Sequence, residues 1–454
     1  MTATAAPAPA PTGRGSFRAV LKRPPFTFLV IGQTISQLGD KLHHMALIAL
    51  VGSAATTATG GIELAKLSVV FTLPVVLFGP LAGALVDRWN KRLTMVVCDA
   101  VRAVIVILIP WLYGAVGRLW PVYVVAFCVF LLGTFFNAAK MALIPDLVER
   151  NQLLPANAAL TSIGRVATVV GVVGGGMIIG WPVWRRFGWS DYAAGFYMDA
   201  MSYGVSVSTL LIITALTAAH LRRAAGTPGA PAAPAATQAV KRELAHLVGD
   251  VKETWRCIRT DRTLRFAFET VVLLAAIAAS VYVVMTASVQ KVFGMGTRGV
   301  GFLGGLLAVG LILGSLFLGT VGSRWDKRQT IMVSCTVLGV LMVTGSLFFS
   351  FAAFAPIAVA GGAMLGPIMV SQDTLLHEGA PTASRALVFS TRDLVLGAAF
   401  MLSALLVGGA IAVVGAIGVG QPYRLALGSL GVLISAAGLT GEFGVLRGRR
   451  QARA

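Results

Sequence analysis

The chain has 454 residues, of which 56% are hydrophobic and only 12% charged, with a formal net charge of +19. A soluble protein carries about twice that charged fraction, which excludes a water-soluble globular fold. The excess of Lys and Arg would point to nucleic acid if it were clustered on a polar domain, but most of it sits in segments between long apolar runs.

An Ala/Pro-rich tail (1–25) ends in Lys22-Arg23-Pro24-Pro25. The apolar runs that follow predict six spans at about 26–51, 62–86, 93–117, 120–144, 156–181 and 191–217. A hydrophilic interruption covers 218–263. Six more spans follow at about 264–290, 298–322, 329–353, 356–377, 386–416 and 423–446, with a basic tail at 447–454. Each run is near the ~20 residues a helix needs to cross the hydrocarbon core. Helices are expected because lipid forces the backbone to bond internally. The first run is too long for a signal-peptide core and lacks a cleavage-like sequel, so it counts as a span. With the N-terminus inside, the large majority of loop Lys and Arg fall on one side, and Lys66, Arg118 and Lys291 are among the few on the other. That is the positive-inside pattern, and it places both termini in the cytoplasm.

The first span carries an anomaly. Within SQLGDKLHHMAL (36–47), Asp40, Lys41, His43 and His44 interrupt a segment otherwise built for lipid. Gln33, Ser36, Gln37, Asp40 and His44 share one helical face at i, i+3, i+4, i+7 and i+11. An ionised group at the bilayer centre costs several kcal/mol, so the stripe is expected to line a water-filled cavity. Burial opposes the charge on Asp40 while Lys41 favours it, and such opposed pressures suit a proton carrier. The same residues equally admit an Asp40 permanently paired with Lys41 that stabilises the span. His43 and His44 point about 100° apart and no acidic cluster joins them, so no metal site is expected.

Asp99 and Arg102, i and i+3 on span three, are expected to neutralise each other. If Leu132-Gly133 overlays Leu365-Gly366, Lys140 falls over Asp373 in the second half, as a cross-cavity pair or an anionic-substrate site. The run VVGVVGGGMIIG on span five suits close helix approach between the halves. Asp199 and Glu269 read as structural and interfacial charges. The four cysteines are scattered and read as packing residues.

Within 218–263, GTPGAPAAPAATQ has linker composition. Leu244, Leu247, Val248, Val251, Trp255 and Ile258 then form an apolar stripe on a basic helix suited to the cytoplasmic interface. The flanking halves echo each other. Arg88-Trp89-Asn90-Lys91-Arg92 after span two matches Arg324-Trp325-Asp326-Lys327-Arg328 after span eight. Ala159, Leu160 and Arg165 more weakly match Ala386, Leu387 and Arg392. Duplicated six-span halves suit secondary transporters that rock about a central site.

At this loop a family resemblance becomes specific. Gly83-Ala-Leu-Val-Asp87-Arg88-Trp-Asn90-Lys91-Arg92 resembles the signature between spans two and three of the major facilitator superfamily. Asn90 replaces its second glycine, a residue that tolerates a left-handed turn. The stretches at 98–110, 144–162 and 196–206 are similar to the branch of twelve-span drug:proton antiporters, macrolide-efflux proteins and enterobactin exporters. The glycines at 171–176 lack the proline that such antiporters commonly carry there, and Lys140 is similar to a span-four lysine of lysophospholipid transporters. The resemblance implies an all-α fold of twelve transmembrane helices in two pseudo-symmetric six-helix halves. It further implies a gating loop of Gly83, Asp87, Arg88, Lys91 and Arg92, with Arg392 as a partner. The second copy has Ser323 in place of the aspartate, which leaves a second latch in doubt.

No nucleotide-cradling Gly-x4-Gly-Lys loop or Ser-centred elbow stands out, so neither an enzyme nor a cofactor is expected. The expectation is a monomeric secondary transporter of a bacterial-type inner (plasma) membrane. It would export an amphiphilic or lipid-like small molecule in exchange for protons, among membrane lipids and without nucleic acid. Asp40 is the proton-coupling candidate, and Gln33, Ser36, Gln37, His44, Lys140 and Asp373 are the cavity candidates. A lysophospholipid flippase and a non-transporting scaffold or sensor are the alternatives.

Overall fold

The structure, a computed structural model, describes residues 20–224, 255–256, 258–322, 325–381 and 385–453. Twelve long helices follow in chain order among them. The first half holds α1 (Pro24–Ala54), α2 (Gly60–Val86), α3 (Lys91–Val116), α4 (Trp120–Leu147), α5 (Leu153–Ile179) and α6 (Asp191–Ala224). The second holds α7 (Arg262–Val292), α8 (Gly296–Thr320), α9 (Lys327–Leu347), α10 (Phe351–Gly379), α11 (Arg385–Ala416) and α12 (Pro422–Arg453). Eleven are long and apolar enough to cross a membrane. The exception, α1, has 31 residues and ample length, but it carries the polar stripe at its centre. The expected all-helical architecture is therefore found, with no strand among the described residues.

Several helix ends follow from local chemistry, and one corrects the sequence reading. Asn90 is not left-handed: its φ of −69° and ψ of 104° are extended, and its side chain caps α3 by accepting from the Leu93 amide at 3.2 Å. Asp326 caps α9 in the same way, accepting from Gln329 N at 2.8 Å. The loop motif thus recurs in both halves because each copy must start a helix with a side-chain acceptor. The end of α6 also lies beyond the expected boundary at 217. The amphipathic stretch lies outside the described residues up to 254, while Trp255, Arg256 and residues 258–260 are helical. Ser323 and Arg324 also lie outside them.

Most of the helix pairing repeats between halves; the exception is α1 on α6, the most extensive contact of the first half, whose counterpart α7 on α12 is slight. In the first half α1 packs on α5, α2 on α4, and α3 on α4 and α6. Advancing each label by six gives α7 on α11, α8 on α10, and α9 on α10 and α12, all of which occur. The halves meet through α2–α11 and α5–α8, a pair of contacts that the same operation exchanges. Small residues permit the second of these. A Cβ on Gly176 would stand 2.7 Å from Gly301 Cα and from the Thr297 carbonyl. This matches the expectation for the span-five glycines.

That contact can be tested. Gly176→Val forces side-chain atoms onto the α8 backbone, and overpacking of this kind costs about 1–3 kcal/mol. Gly174→Val, two residues away where a Cβ meets nothing within 4 Å, serves as the control. Thermal unfolding in detergent should separate the two; equal melting temperatures would refute the close approach.

Candidate functional site

The first half gathers its intramembrane charges into one cluster on α1, α3 and α6. Asp40 Oδ1 accepts hydrogen bonds from Arg102 Nη2 at 2.6 Å and from the Tyr203 hydroxyl at 2.6 Å. Arg102 Nη1 donates to Asp99 Oδ1 at 3.2 Å, so one guanidinium bridges carboxylates from two helices. The same guanidinium lies 4.1 Å from the centroid of the Tyr203 ring. Asp99, Arg102 and Tyr203 are buried, whereas the Asp40 side chain is 33% exposed. Beside them His43 Nδ1 stands 3.3 Å from Asp199 Oδ2. Ser202 Oγ donates to the Asp199 carbonyl at 2.7 Å and lies 3.3 Å from Asp199 Oδ1.

Glycine on α1 brings these helices within reach. A Cβ on Gly39 would collide with the side chains of Ser202 and Asp199, so only glycine lets the α6 polar residues lie against α1. Buried charges demand partners because an unpaired ion in an apolar medium is costly. Here the partner is Arg102 rather than Lys41. Lys41 instead lies along Gly171 of α5, where a Cβ would meet its Cβ and Cγ.

The predicted stripe divides by depth of burial. Gln33 and Ser36 are buried, and Gln37 lies over Gly164 of α5. His44 is half-buried, donates from Nδ1 to the Asp40 carbonyl at 2.9 Å, and packs on Phe71 and Phe130 with centroids at 5.2 and 5.0 Å. In this conformation α5 and α6 flank α1 and cover part of the stripe.

Two expected pairs across the halves are not formed. Lys140 is buried and donates to Asn137 at 2.7 Å on its own helix. Asp373 meets Arg392 at 3.3 Å, and Arg392 also bonds Asp393 at 2.8 Å. Arg392 is therefore occupied within the second half and does not meet Asp87. Asp87 and Arg88 are exposed, and Lys91 pairs with Asp146 at 3.1 Å. Arg92 is partly buried, and Gly83 has open space around it. Glu269 pairs with Arg265 at 3.0 Å, both exposed, as an interfacial charge would.

Among the described residues, the side-chain hydrogen bonds and ring contacts that join the halves lie from the bundle centre towards the end away from the termini. Gln290 Nε2 donates to the Ile48 carbonyl at 3.0 Å, Tyr423 to the Thr57 carbonyl at 2.6 Å, and Lys291 to the Ala55 carbonyl. Centrally, Phe71 meets Tyr282 and Phe400 at 5.9 and 6.5 Å. At the end that carries the termini the ion pairs stay within a half: Arg23–Glu149 and Lys91–Asp146 in one, Lys327–Glu378 in the other.

Residues 29–404 match the family model of the Major Facilitator Superfamily. The chain is 29% identical over 151 residues to the uncharacterized MFS-type transporter YfiS of Bacillus subtilis, spanning 33% of this chain and 35% of that protein. The chain thus aligns with about a third of that relative's length. YfmI of the same organism, another MFS-type transporter, is 20% identical over 91% of this chain and 94% of its own. Among solved structures, a point mutant of the nucleoside transporter NupG superposes with a TM-score of 0.61 at 13% identity, over 91% of this chain and 99% of that one. A bacterial homologue of the iron transporter ferroportin in an inward-facing state gives 0.63 at 13% identity, over 92% and 98%.

Arg102 was legible only as a partner of Asp99, and Tyr203 was not legible as a site residue, because both reach Asp40 across helix boundaries. Removing the shared cation exposes the cost. Arg102→Ala leaves two carboxylates without their counterion and should destabilise the protein by about 3–5 kcal/mol. Adding Asp40→Asn and Asp99→Asn should recover most of that loss. Detergent melting curves that show no recovery would argue against a shared ion pair.

Proposed function

The chain belongs to the major facilitator superfamily, and on that premise we propose that it is a proton-coupled secondary transporter that exports an amphiphilic small molecule by alternating access. The observation that carries the reading is the bridge Asp40–Arg102–Asp99, with Asp40 its one partly exposed member. A proton on Asp40 cancels its attraction for Arg102 and leaves the guanidinium to Asp99 alone. Protonation thereby loosens α1 from α3, whereas the ionised form ties them. A carboxylate that is wettable and also paired with an internal cation can exchange a proton for that cation. This exchange is the coupling step we assign to it.

The positive-inside pattern supports a reading with both termini in the cytoplasm, and the membrane we assign is a bacterial-type inner membrane. The side-chain contacts that join the halves then lie from the centre to the external side, which supports an inward-open form. Asp87 and Arg88, exposed here, act as a latch in the opposite, outward-open form, when the cytoplasmic ends meet. Phe71, Phe130, His44, Tyr282 and Phe400 form a mostly apolar aromatic cluster beside the charged one. Rings next to an ion pair suit a substrate that carries both an apolar body and a polar group. Gln33, Ser36, Gln37 and Asp373 remain cavity candidates for states in which the helices part. Lys140, the residue behind the lysophospholipid alternative, is committed to Asn137 in this conformation.

Proteoliposomes loaded with a pH-sensitive dye provide the test, with ethidium, a macrolide and lysophosphatidylethanolamine as probes. Proton movement should accompany ethidium or the macrolide, and Asp40→Asn should abolish it while Asp40→Glu retains part. Lysolipid movement with no proton signal, unaffected by Asp40→Asn, would instead establish the flippase. If no probe moves and neutralising the whole cluster leaves the protein's cellular role intact, a scaffold or sensor is the better description.

A further inference from the structure

Asp40 and Arg102 leave one buried titratable pair on α1 and α6 without an assigned role. We propose that His43 and Asp199 form a second proton-binding site, which shares one proton between the imidazole and the carboxylate and exchanges it separately from Asp40. The proposal deepens the coupling role given above to α1, but its geometry stands by itself.

Both side chains are shut away from solvent, at 1% and 0% exposure, with Nδ1 and Oδ2 3.3 Å apart. His43 Nδ1 and Nε2 and Asp199 Oδ2 are all buried and none of them makes a hydrogen bond among the described residues, so the two side chains face each other at ion-pair distance with the hydrogen-bonding capacity of these atoms unused. The imidazole is held edge-on against Phe130 and Phe196, with centroids at 5.5 and 5.3 Å and interplanar angles of 77° and 79°. Those rings offer no polar atom to solvate an anion. A neutral His43 beside an ionised Asp199 would leave a net negative charge in an apolar shell, which is costly. One added proton makes the pair neutral overall, whichever of the two groups carries it. No bond other than that to the proton is made or broken.

The surrounding charges do not supply the missing cation. On α1, Asp40 and Lys41 flank the site, with Lys41 directed along α5, and His44 turns to Phe71 and Phe130. On α3, Arg102 is already shared between Asp40 and Asp99. On α4, Lys140 bonds Asn137. On α6, Tyr203 donates to Asp40, and Ser202 lies within hydrogen-bond distance of the other oxygen of Asp199. In the stretch of α5 facing α1, Arg165 is the charged residue and is exposed. Asp40 and Asp99 therefore take up the one guanidinium, and Asp199 forms no ion pair with it among the described residues.

Position sets the pair beside Asp40. Ser202 and Tyr203 are consecutive on α6, one beside Asp199 and the other bonded to Asp40. Gly39, which precedes Asp40, is the residue on which Ser202 and Asp199 rest. A shift along the α1–α6 seam would disturb both sites together.

Infrared difference spectra of the full chain in lipid nanodiscs, recorded between about pH 5 and about pH 9, read carboxyl protonation directly. We expect an Asp40 signal that Asp40→Asn removes and a second signal that Asp199→Asn removes. His43→Gln should abolish or shift that second signal, since it is shared. If Asp199→Asn and His43→Gln both retain every pH-dependent band of the parent, no proton exchanges at the pair and the proposal fails. Should the variants not fold, nitrogen-15 spectra of the parent with labelled histidine decide the matter: a His43 resonance unchanged across the range overturns the proposal, and one that moves supports it. The two readings separate cleanly. A silent Asp40→Asn in transport refutes the coupling role of Asp40 without touching the second band, and a second band that persists in both Asp199→Asn and His43→Gln refutes only this site.

Discussion

One buried cation governs the polar core of the first half. Arg102 reaches Asp40 on α1 and Asp99 on its own helix, and its planar face lies over Tyr203 on α6. A guanidinium suits this place because it cannot lose its proton and offers several donors in a fixed fork. In a low-dielectric interior each carboxylate must find such a partner or be neutralised. The packing of α1, α3 and α6 therefore depends on where this one side chain points. Gly39 of α1 serves the same cluster, since it gives Asp199 and Ser202 the space to approach.

The halves share most of their helix pairing, apart from the close α1–α6 seam of the first, and they differ in chemistry. The first half concentrates its charges in the buried cluster, while the second holds Asp373, Arg392 and Asp393 in a more exposed group. The second half instead reaches across. Gln290, Lys291 and Tyr423 donate to backbone carbonyls at the end of α1 and in the turn after it. Two of these donors lie on a π-helical stretch of α7, Ser288–Val292. A π turn rotates the side chains that follow it relative to an α-helix. Closure by side chains on carbonyls does not depend on a complementary charge, so it can form wherever the two backbones come close.

Much of the fold was legible from hydropathy alone. Twelve apolar runs became twelve helices, and the basic loop motif marked the duplication because both copies need a side-chain acceptor to begin a helix. The close approach of α5 to α8 could be read from its glycines, since small side chains are what such contacts require. The site was only half legible. Asp40 stood out because a carboxylate in a lipid-length helix is rare. Its partner did not, because Lys41 is adjacent in sequence while Arg102 is 62 residues away.

The sequence by itself determined that the chain is helical, that it is built to cross a membrane many times in two related halves, and that α1 carries charge where lipid would forbid it. Those properties follow from composition and period, which act locally along each helix. Only the tertiary structure decided which charges meet. Lys140 and Asp373 align by repeat arithmetic yet bond Asn137 and Arg392, and Asp87 stands free of Arg392. Pairing depends on how helices rotate and tilt against their neighbours. That is set by packing over the whole bundle, which no single segment encodes.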